Sequence, residues 1–322
     1  MACSSYRSSS TTSSTGNTWL KSGHSGKSTD RDDAPMKETL ALAYSVFKLR
    51  IGIAIMLTAL AGVAVAPGPA PEGWQIAVLA LAVLLSSASA GAFNMYMERD
   101  LDARMKRTRG RPFVTGQFTA NGYWLTGIVL LLVTAIAAAT LATNAVAAFY
   151  VFLGAFVYGV VYTVWLKRRT WMNIVVGGLA GSFAILAGAA AVDPGLAPAP
   201  VILAVVLFLW TPPHFWSLAF KYKDDYATAG VPMLPVVVEE KTAARIILGH
   251  TVLLFALSLL PVLYGMGWIY LLGAATGGGW FVWTSIGLVR NPSAKTAMIN
   301  FHASLIQLSL LLLAAILDAW LI

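Results

Sequence analysis

Residues 74–112, WQIAVLALAVLLSSASAGAFNMYMERDLDARMKRTRGRP, decide the fold. The stretch 74–97 carries no charge and is long enough to cross a hydrocarbon layer of about 30 Å as a helix. It then meets Glu98, Asp100 and Asp102, followed by Arg104, Lys106, Arg107, Arg109 and Arg111. An apolar run that ends so abruptly in charge is a membrane span reaching water.

Working outward, similar runs occupy 44–66, 122–142, 145–166, 172–192, 199–220, 244–264, 266–288 and 298–320, which with 74–97 makes nine. The composition agrees: 58% of the 322 residues are hydrophobic and only 11% are charged, against about a quarter charged in soluble domains. A water-soluble globule is excluded, and the expected fold is an all-α polytopic membrane bundle of about nine transmembrane helices.

The basic residues set the expected orientation, because Lys and Arg collect in cytoplasmic loops. All 22 fall in or just after the tail, or in or flanking alternate loops, and the intervening loops (APGPAPEG, TN, DPGLAPAP, YGMG) hold none. Nine spans with the N-terminus inside make that separation complete. The net charge of +8 is therefore accounted for by insertion and anionic lipid, with no nucleic acid. Residues 1–35 are Ser/Thr-rich and lack apolar periodicity, which predicts a disordered cytoplasmic tail without a signal-peptide core. Residues 36–322 form one transmembrane domain. The single cysteine, Cys3, rules out an intrachain disulfide or a Cys-based metal site.

Acids at a membrane edge are functional candidates. Asn94, Glu98 and Asp102 are spaced by four, so a continuing helix puts them on one face, while Asp100 points elsewhere. Oxygen donors on one face suit Mg²⁺ with a phosphate co-ligand, and the following arginines suit diphosphate oxygens. The same basic run also serves the positive-inside rule. A second acidic loop, with Asp224 and Asp225, follows span six in FLWTPPHFWSLAFKYKDDYATAGVPMLPVVVEEKTA, residues 208–243. Spans one to four and five to eight are thus expected to form two parallel four-helix repeats plus a ninth helix. Each repeat displays an inside loop, about 98–121 and 221–243, across a site for a metal-bound diphosphate. A transporter is a rival reading, but both clusters lie at one face rather than at the midplane. A non-catalytic assembly factor has no use for the paired acidic loops.

Three segments carry a family likeness: Asn94–Asp102 with Met105, Arg107, Thr108, Arg111 and Pro112; YTVWLKRRTWMN at 162–173; and FLWTPPHFW with DYATAGVPMLPVV. From about Leu40 onward the chain resembles the haem O synthases of the intramembrane aromatic prenyltransferase superfamily. Glu98 stands where the superfamily usually has Asp, and GSFAILAG at 181–188 lacks a Pro-Pro that many relatives carry, leaving Gly177 and Gly181 as an expected helix-contact pair.

The resemblance implies transfer of a farnesyl group from farnesyl diphosphate to a vinyl group of haem B, with water added, giving haem O for a terminal oxidase. It implies Mg²⁺ held by Asn94, Glu98, Asp102 and Asp225, with Lys167 beside them in catalysis. Arg107, Arg111, Lys167 and Arg168 would bind the diphosphate. Tyr162, Asn173, His214 and Tyr226 would complete the substrate site, and Phe93, Tyr96, Tyr158, Trp210, Phe215 and Trp216 would line a prenyl tunnel. Haem is then a substrate rather than a cofactor. The implied setting is the lipid of a bacterial cytoplasmic (inner) membrane rather than a mitochondrial one, with a downstream haem A synthase or the oxidase as partner.

Overall fold

A computed structural model describes residues 33–321; the expected disordered tail lies almost wholly outside them. Every regular element described is helical. In chain order these are α1 (Asp33–Val46), α2 (Leu49–Val65), α3 (Gly73–Met97), α4 (Arg99–Arg104), α5 (Pro112–Thr115), α6 (Gly122–Ala142), α7 (Ala145–Phe156), α8 (Asn173–Gly177), α9 (Leu179–Val192), α10 (Pro198–Lys221), α11 (Lys223–Thr228), α12 (Leu234–Val237), α13 (Glu240–Leu259), α14 (Trp268–Arg290) and α15 (Ala294–Leu321). A π-helical segment, Val157–Leu166, prolongs α7, and a 3₁₀ turn, Leu260–Tyr264, prolongs α13. From Ala41 onward the chain forms one unit.

Among the described residues, seven helices are long and apolar enough to span a membrane. A pair bent by 50° at Phe47–Lys48, Thr39–Val46 with Leu49–Val65, supplies an eighth if counted as one span. The 23-residue α14 occupies the remaining expected position but is not among the seven; it carries the run Gly277-Gly278-Gly279. Those glycines serve packing: a Cβ on Gly278 would lie 2.2 Å from the Phe255 ring, and one on Gly273 would lie 2.4 Å from the Ala314 Cβ.

Short breaks between spans are built by their own residues. Asn144 separates α6 from α7 by accepting from the Ala147 N–H at 2.9 Å, an N-cap, and by donating to the Ala190 carbonyl at 2.7 Å. α9 packs on α2, α7 and α10, and α15 packs on α2, α10 and α14, so the two halves of the chain share neighbours. The α2–α9 approach depends on Gly62 and Gly188, where an added Cβ would fall 2.1 Å from the Ile185 carbonyl oxygen and 1.8 Å from that of Ala59. The expected Gly177–Gly181 contact pair is corrected by this. A Cβ on Gly181 would meet nothing within 4 Å, and one on Gly177 would meet the Tyr162 ring at 3.0 Å. The small-residue pattern alone does not say which neighbour each glycine faces.

Candidate active site

The expected acidic face survives a break in the helix. α3 ends at Met97 and α4 begins at Arg99, with Glu98 between them at φ −97° and ψ 7°. The helical hydrogen bonds Glu98 N–H to Asn94 carbonyl (3.0 Å) and Asp102 N–H to Glu98 carbonyl (2.8 Å) nevertheless persist. Asn94, Glu98 and Asp102 are thus stacked on one side, each no more than 3% exposed.

Each of these oxygens holds one cation. Lys48 Nζ donates to Asn94 Oδ1 at 2.5 Å. Lys167 Nζ donates to Glu98 Oε2 at 2.5 Å. Arg111 Nη1 lies 2.8 and 2.7 Å from the two oxygens of Asp102. Buried charges require such partners. Glu98 Oε1 is buried and has none.

The π-helical segment presents the opposing wall. Its i→i−5 pattern, seen in the Lys167 N–H to Tyr162 carbonyl bond of 2.9 Å, sets Tyr158, Thr163 and Lys167 on the side facing α3. Asn94 Nδ2 donates to Thr163 Oγ1 at 2.9 Å, and Tyr158 accepts from Lys48 at 3.1 Å. Tyr158 and Tyr162 stack with ring centroids 5.6 Å apart, and Lys167 Nζ lies 5.5 Å from the Tyr162 ring centre. π-Helical turns recur at functional sites. Gly177 leaves room for Tyr162, as its packing shows.

Asn173 closes the turn that follows, donating to the carbonyls of Thr170 (2.6 Å) and Lys167 (3.4 Å) with its Oδ1 buried and unpaired. Arg168 points away from this cluster. It pairs bidentately with Asp100 at 2.7 Å in each arm, and both side chains are 40–50% exposed, at 42% and 50%. The hydrogen bond from Arg168 holds the Asp100 carboxyl below its ordinary range.

The second acidic loop lies against the first through Arg107, which donates to the Tyr226 hydroxyl at 3.5 Å and lies 5.6 Å from the Tyr222 ring centre. Leu101, Met105, Ile174, Trp216 and Tyr226 share one buried cluster beneath both loops. Asp225, half-buried in the first turn of α11, makes no side-chain hydrogen bond or ion pair to Glu98 or Asp102. Among the described residues no three His, Cys, Asp or Glu side chains converge as a metal site. Glu98 and Asp102 are engaged by bases, and Asn94 is not a carboxylate. The unpaired Glu98 Oε1 and the row of oxygen donors nonetheless fit a hard divalent cation with phosphate ligands.

His214 sits apart from the acidic face. Its Nδ1 is 2.7 Å from Ser304 Oγ, and its ring lies between Trp210 (4.2 Å) and Phe301 (4.5 Å). Pro212 and Pro213 stand inside α10 and remove backbone donors there. Lys48 and Thr163 were not singled out by sequence reasoning. Lys48 reads as one more cytoplasmic base, and its approach to Asn94 is a tertiary event 46 residues apart.

The UbiA prenyltransferase family profile matches residues 55–311. The chain belongs to the UbiA prenyltransferase family, and it is a prenyltransferase built as an integral membrane protein. Among individual relatives, it is 59% identical over 283 residues to protoheme IX farnesyltransferase 2 of Paramagnetospirillum magneticum, covering 88% of this chain and 98% of that one. It is 51% identical over 231 residues to protoheme IX farnesyltransferase 1 of the same organism, covering 71% of this chain and 81% of that one. The fold is also that of solved structures. A digeranylgeranylglyceryl phosphate synthase matches with TM-score 0.73 at 20% identity over 88% of this chain and 99% of the other. A UbiA homologue from Archaeoglobus fulgidus bound to GPP and Mg²⁺ matches with TM-score 0.63 at 15% identity, covering 85% and 99%.

Proposed function

We propose that this prenyltransferase transfers the farnesyl group of farnesyl diphosphate to a vinyl group of haem B, with water added and diphosphate released, giving haem O. The observation that carries the reading is the row Asn94, Glu98, Asp102, with each oxygen held by a base and one Glu98 oxygen left over. The likeness at 59% identity to a protoheme IX farnesyltransferase supports the choice of donor and acceptor.

Asn94, Glu98, Asp102 and Asp225 are the residues that would hold Mg²⁺, which supplies positive charge against the leaving diphosphate when bound. Lys167, Arg111 and Arg107 add fixed positive charge where negative charge grows as the farnesyl C–O bond breaks. Tyr226 carries Arg107, while Asn173 and the π-helical turn fix the root of Lys167. The stacked Tyr158 and Tyr162 rings offer π faces to the allylic cation. Attack by a vinyl carbon forms the new C–C bond, and water then closes the remaining cation and loses a proton. Arg168 acts through Asp100, joining the π-helical end to α4, rather than on the diphosphate. His214, wedged between aromatic rings, belongs to the wall on the α10–α15 side where the haem would rest.

In this reading the chain crosses the bacterial cytoplasmic membrane nine times, N-terminus inside, as two parallel repeats plus a ninth helix, with residues 1–35 as a cytoplasmic tail. The haem product passes to a downstream haem A synthase or a terminal oxidase. Mass analysis of haem extracted from cells with and without the protein tests the reading: haem O present only with the protein supports it, and unaltered haem B contradicts it.

A further inference from the structure

α15 carries a row of buried polar side chains, Asn300, Ser304 and Gln307, each no more than 1% exposed. Spacings of four and three put them on one face of the helix. Asn300 is fully engaged. Its Oδ1 accepts from Thr284 Oγ1 at 2.7 Å and from Ser285 Oγ at 2.9 Å, and its Nδ2 donates to Ser217 Oγ at 3.0 Å. Ser304 is engaged too. Its carbonyl accepts from Trp210 Nε1 at 2.9 Å, and its hydroxyl lies 2.7 Å from His214 Nδ1. One turn further on, Gln307 has no hydrogen-bond partner for Oε1 or for Nε2.

Among the described residues this is the one buried side-chain amide with both polar atoms unpartnered. It stands near the middle of the 28-residue α15. Its neighbours one turn away on either side, Ala303 and Leu311, belong to an apolar cluster with Leu203, Leu207 and Phe281. An idle amide there costs free energy that a leucine would not. Gln307 therefore fits a polar partner that arrives with the reaction. The farnesyl chain and the vinyl edge of haem are hydrocarbon and offer none. The propionates of haem are anionic, and a neutral amide in an apolar cluster does not offset their desolvation. Water is the remaining polar reactant, and an amide gives it both an acceptor and donors.

Resting on the function proposed above, we infer that Gln307 holds the water molecule that adds to the farnesylated vinyl group. Bond formation between the outer vinyl carbon and farnesyl C1 leaves a cation on the vinyl carbon next to the porphyrin ring. The held water forms a C–O bond to that carbon, and one of its protons passes to an oxygen of the released diphosphate. The hydroxyl stays on the product. Without a held water the same cation loses a proton from the neighbouring carbon, and a C=C bond forms in place of the alcohol. A water fixed on the α15 wall also stays off the farnesyl cation, which loose water would quench to farnesol.

The test uses purified full-length protein in detergent with haem B, farnesyl diphosphate and Mg²⁺, and mass spectrometry of the extracted haem. Two products are compared within each sample: the hydroxylated farnesyl haem and the one lighter by one water. Gln307→Met keeps the length of the side chain and removes both polar atoms. It is expected to raise the ratio of dehydrated to hydroxylated product by about tenfold or more, as for loss of one hydrogen bond to the reacting water. Gln307→Glu keeps an oxygen at the same reach and should restore the hydroxylated product. An unchanged ratio in Gln307→Met overturns the inference, including the case in which both products fall together, since that marks a merely structural role. If Gln307→Met does not fold, Gln307→Leu decides by the same ratio. Failure of both to fold overturns the inference, because the amide then holds helices rather than water. A wild type that yields no farnesylated haem of either mass removes the proposed function itself, and the inference with it.

Discussion

Arg111 reaches back nine residues to hold both oxygens of Asp102, at 2.8 and 2.7 Å, with Asp102 almost fully buried. Two residues earlier, Asp100 makes an equally short bidentate pair with Arg168, at 2.7 Å in each arm, but in solvent. The pairs differ in geometry, one Arg111 nitrogen shared between two oxygens against two Arg168 nitrogens each on its own oxygen, and still more in what surrounds them. Breaking a buried pair leaves a charge without compensation, whereas exposed pairs contribute about 0–1 kcal/mol.

Asp102→Asn is therefore expected to lower turnover by roughly a hundredfold or more and to lower the melting temperature in detergent, since Arg111 loses its counter-charge. Asp100→Asn should keep turnover within a few-fold of wild type. Haem O production at equal membrane abundance compares the two; equal damage would mean that Asp100 also faces the reaction.

The Asp100–Arg168 pair gives a pH signature. Arg168 lowers the folded-state pKa of Asp100, so the pair's contribution to stability is present above the unfolded value of about 3.9 and is lost as pH falls through the folded value. The difference in melting temperature between wild type and Asp100→Asn should be flat from pH 8 to about pH 5 and shrink only below about pH 4. A difference that changes near neutrality would show that another group controls it.

Gly188→Val places a side chain where a Cβ already lies 1.8 Å from the Ala59 carbonyl oxygen. α2 and α9 must part, at a cost of about 3 kcal/mol or more. Gly181→Ala, which meets nothing within 4 Å, should stay within about 0.5 kcal/mol of wild type. Fluorescence-detected melting of both variants checks the assignment of the helix contact.

The position of the 22 basic residues makes a topological prediction. A reporter inserted between Lys241 and Thr242 should read cytoplasmic, and one fused after Ile322 should read external. A cytoplasmic C-terminus would show that α14 or the bent α1–α2 pair does not cross.

Much of this site was legible because its spacing is local. Asn94, Glu98 and Asp102 share a face through the four-residue helical repeat, and that repeat persists across the Glu98 break. Lys167 and Arg111 were singled out through the family resemblance as cations for the diphosphate; their pairing with Glu98 and Asp102 was not legible, since the first depends on the packing of the π-helical segment against α3 and the second on the fold of the loop after α4. Lys48 was not legible, since one lysine before an apolar run looks like any cytoplasmic flank and its left-handed backbone leaves no mark in composition. The Gly62–Gly188 contact was missed for a similar reason. Its partners are 126 residues apart, while the local Gly177–Gly181 spacing drew attention to glycines that face Tyr162 and open space. α14 was expected from its length, and its glycines serve close packing against Phe255 and Ala314.

The central claim is prenyl transfer to haem at the Asn94–Asp102 face. Purified full-length protein in detergent, given haem B, farnesyl diphosphate and Mg²⁺, is followed by mass spectrometry of the extracted haem. The account predicts a haem enlarged by one farnesyl group and one hydroxyl group, absent when EDTA is in excess, restored by added Mg²⁺ and reduced roughly a hundredfold in Asp102→Asn. Unmodified haem B in the complete mixture, or full conversion in excess chelator, would contradict it.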